Sequence, residues 1–102
     1  QVFYYRNGNV EYEANFDRGT LVGEEGSYSK NGQTLWTRNH DESGTTVLRR
    51  YDEAGHLRSV THWKGRLGHG PAKTWDAAGN LVSTLYFDEG RVTSDPPEGF
   101  EN

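Results

Sequence analysis

Apolar and polar residues alternate with a period of two along most of the chain, and glycine interrupts the alternation at regular intervals. Val10, Tyr12, Ala14 and Phe16 fall on one face of a predicted strand, and Glu11, Glu13 and Asn15 on the other, with no fault across the segment. Leu57, Ser59, Thr61 and Trp63 alternate in the same way against Arg58, Val60 and His62, and Leu81–Phe87 is the most apolar run. Val2–Arg6, Thr34–Arg38, Thr45–Tyr51, Ala72–Trp75 and Arg91–Ser94 read as further short strands. Thr20–Lys30 is less regular, because Gly23 and Gly26 weaken it and predict a bend or bulge. No segment carries a helical period.

The punctuation is as informative as the strands. Asn7-Gly8 and Asn31-Gly32 are hairpin dipeptides in which both residues tolerate positive φ. Asp52-Glu53-Ala54-Gly55 and Asp76-Ala77-Ala78-Gly79 predict type I turns closed by a left-handed glycine. Gly8, Gly32, Gly55 and Gly79 are spaced by 24, 23 and 24 residues, and Gly19, Gly44, Gly65 and Gly90 fall between them at 25, 21 and 25. Two interleaved series of near-constant period predict a repeat protein made of hairpin units. The expected fold is all-β: an open, elongated antiparallel meander of about nine short strands. Sequential hairpins of similar length lack the long return connection of a Greek key. One domain is expected over residues 1–94, and residues 95–102, with two prolines and two glutamates, are expected to form a mobile tail.

Composition narrows the packing. Only 31% of the 102 residues are hydrophobic, but 13% are aromatic. Rings bury much area each, so a thin core is feasible, whereas the lumen of a closed barrel would not fill. Tyr51, Trp63, Trp75, Tyr86 and Phe87 are the expected core rings, and Tyr4, Tyr5 and Trp36 the exposed ones. A net charge of −4 with no basic stripe argues against nucleic acid and weighs against anionic membranes. Without cysteine, no disulfide or thiolate chemistry is available. The first residue is Gln1 rather than methionine, which fits removal of a secretory signal or a trimmed boundary; a periplasmic location is favoured over the cytoplasm.

Candidate chemistry is sparse. His40, Asp41, Glu42 and Ser43 contain the residue types of a hydrolytic triad, but consecutive residues in one loop cannot converge in the required order. His56, His62 and His69 lack metal-ligand spacing, and His56 and His62 lie about 20 Å apart along one strand. The turn aspartates lack the alternating ligand set of a calcium loop and are better explained as turn formers. The expectation is therefore no catalytic residue, no metal and no cofactor. Glu11, Glu13, Glu24 and Glu25 form the densest acidic patch, which reads either as a solvated face or as complementarity to a basic partner. With Trp36 and the loop residues His40, Asp41 and Glu42 they make up the candidate partner-binding set. The irregular regions Glu11–Gly26 and Asn39–Gly44, where the repeat breaks, are where a binding site is expected.

The recurring motif of an aromatic, a turn glycine and a leucine occurs at Tyr28, Gly32 and Leu35, at Tyr51, Gly55 and Leu57, and at Trp75, Gly79 and Leu81. Linking motifs are Phe16, Gly19, Leu21 and Gly23, then Trp63, Gly65, Leu67 and Gly70. Together these resemble the variant MORN repeat typical of the YwqK-type antitoxin family of bacteria, over roughly Tyr4 to Val92. The Asn39–Thr46 segment departs from the pattern, lacking the aromatic before its glycine. Tyr51-Asp52 and Trp75-Asp76 also resemble the YD repeats of Rhs-type toxin shells, but nine strands cannot enclose a cargo. The resemblance implies a non-catalytic immunity protein or antitoxin that binds a toxic effector enzyme and occludes its active site. The rival expectations are a scaffold that self-associates as a homodimer through its edge strands, and a lipid- or glycan-binding surface of MORN type.

Overall fold

Tight turns set the architecture. In the computed structural model, which describes residues 1–41, 44–97 and 100, a glycine with positive φ stands at each hairpin turn, from Gly8 (φ 93°) to Gly90 (φ 90°). The strands between them are β1 (Val2–Tyr4), β2 (Val10–Asp17), β3 (Thr20–Tyr28), β4 (Thr34–His40), β5 (Thr45–Tyr51), β6 (Leu57–Lys64), β7 (Leu67–Gly68), β8 (Gly70–Trp75), β9 (Leu81–Asp88) and β10 (Arg91–Thr93). All pairings are antiparallel, and the sheet runs in the order β1-β2-β3-β4-β5-β6-β8-β9-β10, with the two-residue β7 pairing β6. The expected meander is present; the additional strand is β7, cut from β8 by a break at His69.

The two glycine series mark the two ends of the sheet, and the ends use different turns. At Gly8, Gly32, Gly55 and Gly79 the glycine N–H donates to the carbonyl three residues back, at 3.0 to 3.1 Å. Only the glycine has positive φ, so Asn7-Gly8 and Asn31-Gly32 form three-residue loops with a bulge and not the two-residue turns expected of Asn-Gly. Two-residue turns with positive φ at both positions occur instead at Arg18-Gly19 (53° and 81°) and Glu89-Gly90 (48° and 90°). Gly44 lies in the second series but makes the first kind of turn, donating to Asp41 at 3.3 Å. In the aspartate-led turns the side chain adds its own bonds: Asp52 Oδ1 accepts the N–H groups of Ala54 and His56 at 3.0 and 2.9 Å, and Asp76 Oδ1 those of Ala78 and Asn80, both at 2.9 Å.

The three-residue loops at Gly8, Gly32, Gly55 and Gly79 are each preceded by a one-residue register shift with an aromatic at it: Tyr4 opposite Val10, Tyr28 opposite Thr34, Tyr51 opposite Leu57 and Trp75 opposite Leu81. In the second unit the rung partner is thus Thr34, while Leu35, the motif leucine, is passed over by the shift and is 39% exposed. Neighbouring turns are stitched together. Tyr5 Oη donates to the Tyr28 carbonyl at 2.7 Å, and Arg58 Nε to the Trp75 carbonyl at 2.8 Å.

The result is a slab of 46 × 40 × 18 Å with a radius of gyration of 15.2 Å, against about 13 Å for a compact domain of this length. Among the described residues only Ala14 and Leu48 are buried hydrophobics. Tyr51, Trp63, Trp75, Tyr86 and Phe87, the expected core rings, are half-buried, because a one-layer sheet can cover a ring on its flanks but not on its outer surface. Of the rings expected outside, Tyr4 is 63% exposed, while Tyr5 and Trp36 are half-buried. Pro97 is buried, and the Phe100 ring stands edge-on to His62 and His69 at 5.2 and 5.8 Å.

Candidate functional site

Opposite Ala14 the ladder between β2 and β3 is irregular. The two-residue turn at Arg18-Gly19 fixes the pairs Asp17 with Thr20, Phe16 with Leu21 and Asn15 with Val22. Further along, Glu13 pairs Gly26 and Tyr12 pairs Ser27, so the two registers disagree by two residues. The surplus is taken up in β3, where Gly23, Glu24 and Glu25 stand opposite Ala14 alone, with Gly23 at φ 66°. This is the bulge expected from the glycines of Thr20–Lys30. The same offset recurs between β6 and β8: Trp63 pairs Gly68, but Ser59 pairs Thr74, and Gly70 lies at φ 122°.

Because side chains in register share a face, the ladder sorts the candidates. One face carries the rung Phe3, Tyr12, Ser27, Trp36, Arg50 and Ser59, followed by Glu25, Arg38, Leu48 and Thr61, and then His40, Thr46 and Trp63. The opposite face carries Glu13, Gly26, Thr37 and Arg49, with Glu24 and Asn39 one rung on. The four glutamates therefore do not form one patch. Glu11 and Glu24 are exposed, and Glu13 accepts the Tyr28 hydroxyl at 2.8 Å. Asp41 is a turn residue whose Oδ1 accepts the Thr45 N–H at 3.1 Å. Glu42 lies outside the described residues.

Glu25, Trp36 and His40 do converge. Glu25 is 4% exposed. Its Oε2 accepts the Tyr12 hydroxyl at 2.5 Å, its Oε1 lies 2.9 Å from His40 Nε2 and 3.4 Å from Arg38. Burial pushes the Glu25 carboxyl up, but the Tyr12 and His40 hydrogen bonds and the Arg38 charge outweigh it and hold the group below its ordinary value. In return the bond to Glu25, then burial, raises the Tyr12 phenol. The Arg38 guanidinium lies 5.0 Å from the Trp36 ring centroid, and Phe3, Tyr12 and Trp36 follow one another at 6.1 and 6.2 Å. On the opposite face burial, followed by Glu13, pushes the Tyr28 phenol up to about 12.

Beyond this cluster the face opens into a notch of about 410 Å³ between β4, β5 and the β6–β7 turn, lined by Arg38, His40, Thr46, Leu48, Trp63 and Arg66. Tyr12, Arg38, Trp63 and Arg66 were not among the residues that sequence alone marked as binding candidates. The signal for Tyr12 and Arg38 was the pairing of an acid-bearing strand with an Arg-x-His strand, which needs the register to be read.

Residues 1–18 and 68–89 match the family described as MORN repeat variant. The match supports a MORN-repeat protein. It falls on the β1–β2 hairpin and on β8–β9, near the two ends of the meander, and it fits a binding or repeat module. No match was found among curated proteins or among solved structures.

Proposed function

We propose that the chain is a non-catalytic protein-binding module, and specifically an immunity protein or antitoxin that neutralises a toxic effector enzyme by covering its active site. The observation that carries the binding reading is the open face of Phe3, Tyr12, Trp36, Arg38 and Trp63, on which no second layer of strands or helices packs among the described residues. Tryptophan, tyrosine and arginine are the side chains that dominate protein interfaces, and here they are held by a rigid ladder. The repeat match supports a binding or repeat module, and the antitoxin assignment rests on the motif resemblance. Glu11 and Glu24 on the opposite face form a second candidate surface, for a basic partner. Affinity capture from the source cell tests the reading: recovery of one enzyme whose toxicity is suppressed by co-expression supports it, and recovery of the chain alone refutes it. Substituting Trp36→Ala against Glu11→Lys with Glu24→Lys then assigns the face.

A second reading rests on the sheet edges. β1 and β10 each pair on one side only, and Val2, Phe3, Tyr4 and Val92 are exposed there. Self-association abolished by Phe3→Pro would favour it; a monomer at all concentrations would remove it.

A further inference from the structure

We infer that the notch between β4, β5 and the β6–β7 turn receives a carboxylate side chain, glutamate or aspartate, from the protein partner; this rests on the protein-binding reading above. Two cations face the notch from opposite walls. Arg66, in the exposed turn, has no acidic partner among the described residues. Arg38 touches Glu25 only at 3.4 Å through one nitrogen, and its side chain is 41% exposed. The carboxylate beside Arg38, Glu25, is already occupied by Tyr12 and His40 and almost wholly buried. On a chain of net charge −4 the notch lining thus contains, among the described residues, two guanidinium groups and no acid.

The rest of the lining selects among anions. Leu48 forms an apolar floor and Trp63 an apolar wall, the indole N–H being turned away to Thr61 Oγ1 at 2.9 Å. A glutamate fits this division, with methylenes against Leu48 and Trp63 and the carboxylate between the arginines, where guanidinium donors match carboxylate geometry. A free phosphate would leave the apolar floor and wall unused. Sequence had pointed to a basic partner through the four glutamates; Glu25 is consumed internally, and the charge that remains available on this face is positive.

Nuclear magnetic resonance titration of the chain with N-acetyl-glutamate methylamide, its glutamine isostere and inorganic phosphate tests the site. The expected result is movement of the Arg38 and Arg66 Nε–H and Leu48 methyl resonances by the glutamate compound, with at least roughly fivefold weaker response to glutamine, and a similar roughly fivefold loss in Arg66→Gln but not in Arg91→Gln. Equal response to glutamate and glutamine, a stronger response to phosphate, or equal loss in the Arg91 variant overturns the inference. The captured partner provides the second arm. Undiminished binding by Arg66→Gln removes the notch and leaves the protein-binding reading standing. Absence of any protein partner for the native chain removes both.

Discussion

Tyr12 on β2 donates its hydroxyl to Glu25 on β3 at 2.5 Å, although the two are not cross-strand partners. The contact joins adjacent rungs of one face: Glu25 stands in rung with Arg38, next to the rung of Tyr12, Ser27 and Trp36. Continuing the register of the turn would have paired Glu25 with Tyr12 directly; the two-residue surplus moves it one rung along the same face. The irregular part of the second hairpin thus builds the only buried acidic cluster among the described residues.

The Glu25 cluster predicts acid sensitivity of a definite sign. Its carboxyl is held below the ordinary value of 4.5 in the fold, so the contribution is fully present above that value and is lost as pH falls through the lower folded value. Glu25→Gln should lower stability at neutral pH by about 1–2 kcal/mol and flatten the acid limb. Urea midpoints measured from neutral to acid pH for both proteins check this.

At the alkaline end Tyr28 acts in the opposite direction. Its phenol is raised from 10.0 to about 12, so its contribution is present below pH 10.0 and lost as pH rises toward 12. Phenolate absorbance should show a step approaching pH 12, and Tyr28→Phe should remove it while leaving the raised Tyr12 step in place. Gly26→Ala should move it back toward 10.0, because a Cβ there would stand 2.7 Å from the Tyr28 hydroxyl and displace it from Glu13.

Gly79 closes its turn at φ 91° with open space around the missing Cβ. Gly79→Ala should therefore destabilise by about 1 kcal/mol through backbone conformation alone, and Gly79→Asn by less, since asparagine tolerates the left-handed region. Denaturant melts should show a shifted midpoint with an unchanged slope.

Phe100 lies between His62 and His69 and against Gly70. Phe100→Ala should cost about 1 kcal/mol and move the ring resonances of both histidines, leaving those of His40 and His56 in place. Histidine ring spectra of the two proteins distinguish this local effect from a general loss of structure.

Much of the fold was legible because turns are local. Glycine at positive φ and aspartate accepting the N–H groups two and four residues on need no distant partner, so the spacing of Gly8, Gly32, Gly55 and Gly79 carried the hairpin repeat directly. The site was legible only in part. Trp36, His40 and Glu25 are candidates from sequence, but nearness in sequence also groups Glu11, Glu13 and Glu24 with Glu25, and alternation along the paired strands sets Glu13 and Glu24 on the other face.

By itself, then, the sequence determined an antiparallel meander of glycine-closed hairpins with too few apolar residues for a second layer. Tertiary structure decided which side chains share a face. That depends on register, and register here is a compromise between turns that disagree by two residues at Gly23 and again at Gly70. A side chain's face inverts with each single-residue shift and survives a two-residue one, so the surplus at Gly23 keeps Glu25 on the face of Tyr12 but sets it one rung away, beside Arg38, where it is buried.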